Sequence, residues 1–146
     1  MREIEFRAKA LISIEELDEI GIKHINGYVY GDLVDNSHIV TGILESNDEY
    51  ICIETWCGID WKTIGEYIGL KDKKCNKIFE GDIVINSEGQ IGYIAYLAQE
   101  AGFVVVLKNS DYRLGHRNTN ECYEKATHHK VIGNIHENPE LLEGTE

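Results

Sequence analysis

From residue 22 onward the chain offers its β-branched and aromatic residues in short runs, each stopped by residues that favour turns. The first runs are Ile22–Tyr30, His38–Leu44 and Tyr50–Thr55, and the breakers are Gly31-Asp32, Asp35-Asn36-Ser37 and Ser46-Asn47-Asp48. This spacing predicts a meander of antiparallel strands. Trp56-Cys57-Gly58-Ile59-Asp60-Trp61 makes a corner before a further extended run, Thr63–Ile68. Ile83–Asn86 and Ile91–Leu97 are joined by the hairpin turn Ser87-Glu88-Gly89-Gln90, and Ala101-Gly102 turns into Phe103–Leu107. Residues 108–121 read as a long polar loop, and Lys130–His136 as the last strand. Short strands with few helices point to a mostly β chain, a small antiparallel barrel or sandwich rather than a βαβ fold.

The chain opens on a period of two. Ile4, Phe6, Ala8 and Ala10 alternate with Glu3, Glu5, Arg7 and Lys9, which predicts a half-buried strand with its charged face in water. Ser13 and Glu16 have capping-box spacing, Ile12 and Leu17 sit where a hydrophobic staple would, and Gly21 supplies a stop. One short helix is expected over 13–20. The organisation expected is a β-rich N-terminal subdomain with that helix over 1–60, then an SH3-like barrel over 61–146. Strands within 78–136 suffice for five barrel strands, and a helical turn follows with Asn138 as N-cap and Pro139 at its first position.

Composition narrows the partners. With 146 residues, 42% of them hydrophobic, the chain can build a core, yet no stretch approaches the roughly 20 apolar residues of a membrane span. Charges mixed into Met1–Arg7 leave no apolar stretch for a signal peptide, so a soluble, cytoplasmic protein is expected, with no membrane partner. In a reducing compartment Cys52, Cys57, Cys75 and Cys122 read as free thiols. A formal net charge of -12 repels nucleic-acid phosphates and favours basic partners.

Three sharper chemistries are weighed on the residues that could carry them. Cys52 and Cys57, with Cys122 and His128-His129, have ligand types for zinc, but the C-x4-C gap and the second cluster fit no recognised pattern, so no metal is expected. Glu80 and Asp82 lie two apart, with His116 or His136 as possible partners in acid–base work. No nucleophile elbow, phosphate loop or metal-binding helix accompanies them, and an Asx-type turn explains Asp82. No catalytic residue, cofactor or enzymatic activity is therefore expected. Lys71, Lys73, Lys74 and Lys77 form a basic run, and Tyr93, Tyr96, Phe103 and Tyr112 could stack bases. A solvated turn is the commoner meaning of such a run.

Three segments together resemble the YopX family of phage and prophage proteins. They are Arg2–Ala8; Thr63-Ile64-Gly65-Glu66-Tyr67-Ile68-Gly69-Leu70-Lys71-Asp72-Lys73 continuing into Ile78-Phe79-Glu80-Gly81-Asp82-Ile83-Val84; and Val131-Ile132-Gly133-Asn134-Ile135-His136-Glu137-Asn138-Pro139-Glu140-Leu141-Leu142. Two departures are visible: Ile68 where the family commonly has Thr, and Cys75-Asn76 where it has Asn-Gly. The resemblance implies a phage or prophage origin, a β-rich fold with an SH3-like barrel in the C-terminal half, and homo-oligomers; it supplies no catalytic residues. Within the motifs Gly69, Leu70, Asp72, Glu80, Gly81, Asp82, Gly133, Asn134, Asn138 and Pro139 read as structural, the glycines permitting bends or close backbone approach. The function expected is an accessory protein acting by contact with itself and with a phage or host protein, using Trp56 and Trp61 at the interface. A nucleic-acid module built on the barrel and the lysine run is the alternative, and an enzymatic role the third.

Overall fold

The computed structural model describes residues 3–107 and 129–142. The loop expected over 108–121, with Tyr112, His116, Cys122 and His128, lies outside the described residues. The chain divides into two compact units, Met1–Glu66 and Tyr67–Glu146.

In the first unit β1 (Phe6–Lys9) leads into α1 (Ile14–Ile20), and β2 (Tyr28–Val34), β3 (His38–Ser46) and β4 (Ile51–Gly58) follow as a meander. The antiparallel order is β4-β3-β2-β1, and Gly65 and Glu66, the first residues of β5 (Gly65–Lys71), pair with Arg7 and Phe6 on the far side of β1. Leu17 from the helix and Ile22 just beyond its end pack onto Ala8, Val29, Ile39, Cys57 and Ile59 to make the core. Ser13 builds the capping box: its Oγ accepts from the Glu16 amide at 3.1 Å, and its own amide donates to Glu16 Oε1 at 3.0 Å. Gly21 ends the helix with φ +81°. A helix of this length depends on its caps, so Ser13→Ala is expected to cost about 1 kcal/mol in urea unfolding. An unchanged midpoint would mean that the cap contributes nothing.

Three local expectations are corrected. Ile22–Tyr30 is not one extended run, because Asn26 (φ +52°) and Gly27 (φ +88°) turn the chain between Ile25 and Tyr28, whose backbones exchange two 3.0 Å bonds. Gly31 does not break a strand but lies inside β2, where a Cβ would run into the Val40 carbonyl oxygen of β3. The β2–β3 turn, by contrast, falls at Asp35-Asn36-Ser37 as expected, with Asp35 and Asn36 in the left-handed region at φ +55° and +56° and the Ser37 amide donating to the Val34 carbonyl at 3.1 Å. The charged face of β1 is not all in water either. Arg7 is buried, its guanidinium 5.6 Å from the Tyr28 ring centre, so its cation rests on a π face while its stem packs.

The second unit pairs β5 with β6 (Lys77–Phe79), and brings the Tyr67 and Phe79 rings together at 5.6 Å, tilted by 42°. An antiparallel sheet follows in the order β10-β7-β8-β9, from β7 (Asp82–Ile85), β8 (Ile91–Leu97), β9 (Gly102–Leu107) and β10 (Lys130–Asn134). Ile68 and Ile78 from the first pair close over Val84, Ile94 and Val105 from the sheet. The chain is mostly β, with one α-helix and two antiparallel sheets among the described residues. The barrel expected here is not closed among them: β10 and β9 are the open edges of a four-stranded sheet. Gly81 is the physical reason for one part of this. Its φ of +94° turns the chain between Phe79 and Asp82, so the segment 78–84 splits between two sheets.

Candidate functional site

β3 and β4 are the longest strands of the first unit, and among the described residues the large apolar side chains of their outer halves are left exposed. Ile39, Val40 and Cys57 at the base are buried in the core. Thr41 and Thr55 then bond through their hydroxyls at 2.7 Å, and beyond them Ile43, Leu44, Tyr50, Ile51 and Ile53 are exposed. Asn47 closes the tip by accepting from the amides of Glu49 (2.8 Å) and Tyr50 (3.1 Å). The ladder between the strands shifts register at Val40/Gly42, Gly42/Ile43 and Ile43/Glu45. Trp56 on β4 is 60% exposed and Trp61, in the 3-10 turn Trp61–Thr63, is 66% exposed. Neither tryptophan fills a core. An apolar arm of this kind is the arrangement a partner surface would cover.

A cleft of about 560 Å³ in the same unit is lined by Glu5, Asp18, His24, Tyr30 and Thr41 among others. His24 Nδ1 accepts from the Gly27 amide at 3.1 Å and its Nε2 meets Asp18 Oδ1 at 2.7 Å, which places the proton of the neutral ring on Nε2. The pair ties the end of α1 to the Asn26-Gly27 turn. Thr41, a hydroxyl on the cleft wall, bonds to the Thr55 hydroxyl rather than to the histidine.

Most motif residues converge in the second unit, although the sequence sets them some 60 residues apart. β7 and β10 pair Asp82 with Asn134 and Ile83 with Gly133, and the Ile135 amide donates to the Gly81 carbonyl at 2.9 Å. Asp82 is buried, and its Oδ2 accepts from the Phe79 amide at 2.8 Å. Asp72 binds the same strand, its Oδ2 accepting from the Val131 amide at 2.9 Å while Oδ1 takes those of Lys74 (2.9 Å) and Asn76 (2.8 Å). Burial alone would raise its pKa; the bonds from Val131, Asn76 and Lys74 outweigh burial and hold the carboxyl below its ordinary range. Asn134 accepts from the His136 and Glu137 amides, both at 2.9 Å. Asn138 precedes the 3-10 turn Pro139–Leu141, yet its side chain caps nothing there and bonds back to the Asn134 amide at 3.2 Å. A Cβ on Gly133 would collide with that side chain, which is why the position takes glycine. Gly69 bends β5 at φ +95°, Leu70 packs against the core, and Glu80 is half-buried. These residues form a hydrogen-bonded knot rather than an opening for a ligand.

Among the described residues no three His, Cys, Asp or Glu side chains gather as metal ligands. Cys52 is exposed on the arm, while Cys57 is buried below it, where burial pushes its thiol pKa up and its Sγ donates to the Gly58 carbonyl. Lys71, Lys73 and Lys74 are exposed around the 72–76 turn, and Lys77 lies 5.2 Å from the Tyr67 ring centre. Tyr96 and Phe103, cross-strand partners on β8 and β9, meet edge to face at 5.4 Å. No helix among the described residues is long and apolar enough to cross a membrane.

Sequence reasoning picked out the tryptophans but missed Ile43, Leu44, Ile51 and Ile53, since a β-branched run reads the same over a core as over solvent. The missed signal is Ile43-Leu44, two adjacent large apolar residues where a half-buried strand would alternate.

Comparison with known proteins agrees with this architecture. No curated protein matches the chain. Among solved structures it is similar to the crystal structure of protein EF1440 from Enterococcus faecalis, at 25% sequence identity and a TM-score of 0.57, over 98% of this chain and 100% of that one. The family model described as YopX protein matches residues 5–143, a span that covers nearly all of both units and all but the first few residues of the motifs. The chain belongs to the YopX family.

Proposed function

We propose that the protein works by contact with other proteins, first of all with copies of itself, and carries out no chemistry of its own. The observation that supports this most is the exposed arm, where Ile43, Leu44, Tyr50, Ile51, Ile53 and Trp56 stand in solvent at one end of the first unit. Apolar surface gathered in this way favours association, because covering it removes it from water. The reading keeps the setting of a phage or prophage accessory protein in a host cytoplasm. It takes the second unit as an SH3-like module, on the strength of its short antiparallel strands and tight hairpins.

Light scattering across a concentration series tests the proposal. The full chain is expected to associate, and the variant Ile51→Ser/Ile53→Ser to stay monomeric with an unchanged far-ultraviolet spectrum. A wild-type chain that remains monomeric at high concentration rules the proposal out. A different result would replace it: single-stranded DNA bound with an affinity that falls steeply with salt and lost in Lys71→Glu/Lys73→Glu/Lys74→Glu would make the lysine turn a phosphate contact and the protein a nucleic-acid module.

A further inference from the structure

The arm is acidic as well as apolar. Glu45, Asp48, Glu49 and Glu54 are exposed along it, and no lysine or arginine occurs between Lys23 and Lys62. None of these four carboxylates makes an ion pair among the described residues. Two copies laid arm against arm would set carboxylates against carboxylates, a juxtaposition that costs energy where water is excluded. The surface calls for something that offers cations on aliphatic stems.

The chain carries such a surface. Lys71, Lys73 and Lys74 are exposed around a turn whose backbone is held rigidly by Asp72, through its bonds to the amides of Lys74, Asn76 and Val131. They too make no ion pair among the described residues. A lysine stem lies well along apolar side chains while its ammonium reaches for a carboxylate or an aromatic face. The arm has both, with Tyr50 and Trp56 exposed among its acids.

We propose that copies of this protein associate head to tail, the β3–β4 arm of one docking on the Lys71–Lys74 turn of the next. This rests on the self-association reading and specifies its geometry: the two faces of the contact are different surfaces, so the interface is heterologous and each copy has one donor and one acceptor end.

Charge reversal on the full chain, read by sedimentation equilibrium, tests it. Glu45→Lys/Glu54→Lys and Lys73→Glu/Lys74→Glu change exposed side chains, and circular dichroism checks that each variant keeps its fold. Each alone is expected to associate at least about tenfold more weakly than wild type, because like charges now meet across the contact. An equimolar mixture of the two is expected to associate again, since the reversed arm of one variant meets the reversed turn of the other. If wild type associates and either variant associates equally well, or the mixture stays as weak as its components, the head-to-tail contact is wrong while self-association stands. A monomeric wild type removes both.

Discussion

Asp72→Ala is expected to destabilise the second unit by about 3 kcal/mol or more, because it takes the acceptor from three backbone amides at once. The carboxylate is 4% exposed and joins the Lys74 and Asn76 amides of its own turn to the Val131 amide of β10, 59 residues further on. Losing it leaves the turn and the edge strand untied together. Hydrogen exchange is the direct measurement: protection at Val131 and Asn76 should fall well before protection at core amides such as Val84. Equal protection in the variant would show that water replaces the carboxylate without loss. The linkage to pH has a definite sign. Asp72 has a lowered pKa in the folded chain, so its contribution is complete above the unfolded-state value of about 3.9 and is lost as pH falls through the lower folded value. Asp72→Asn should therefore be less stable than wild type at neutral pH and approach it in strong acid.

Gly31→Ala is the second large effect, for a steric reason rather than a polar one. Gly31 holds φ +155° inside β2, and any Cβ there meets the carbonyl oxygen of Val40, a backbone atom that cannot swing aside. Either the β2–β3 ladder opens or the backbone of Gly31 moves into a region where its pairing with Phe6 is lost. A cost of about 3 kcal/mol or more is expected, seen as a fall in Tm of about 6–12 °C for a chain of this size. Gly89→Ala is the control, since Gly89 also has a positive φ (+84°) but open space around it. It should cost about 1 kcal/mol, the conformational term alone. Equal losses in the two variants would show that backbone conformation, not the approach of Val40, decides the Gly31 position.

These two residues also show what the sequence could and could not reveal. The Ser13/Glu16 cap, the Asp35-Asn36 turn and the strand at Phe6–Lys9 were legible because their causes lie within a few residues of each other. Asn26-Gly27 carries an equally local signal, the Asn-Gly pair that favours a tight hairpin turn, but the β-branched run around it masks that signal. Gly31 reads as a breaker in the sequence because glycine has two uses. Only the neighbouring strand tells a turn from a close approach, and Val40 is not adjacent in sequence. Asp72 belonged to a recognisable motif, but its partner Val131 lies at the other end of the unit. The arm was hidden for the opposite reason: Ile51 and Ile53 look like core residues until the fold leaves them without a core.

The irregular ladder of that arm has a consequence for how association ends. A long, flat strand edge with exposed isoleucines would template one chain after another into a cross-β stack. Three register shifts within nine residues of β3 coil and bend the arm instead, so its free edge offers no straight row of amides and carbonyls for another strand to extend. Side chains can still be covered by a partner, but backbone cannot be propagated. The arm can be sticky without seeding amyloid.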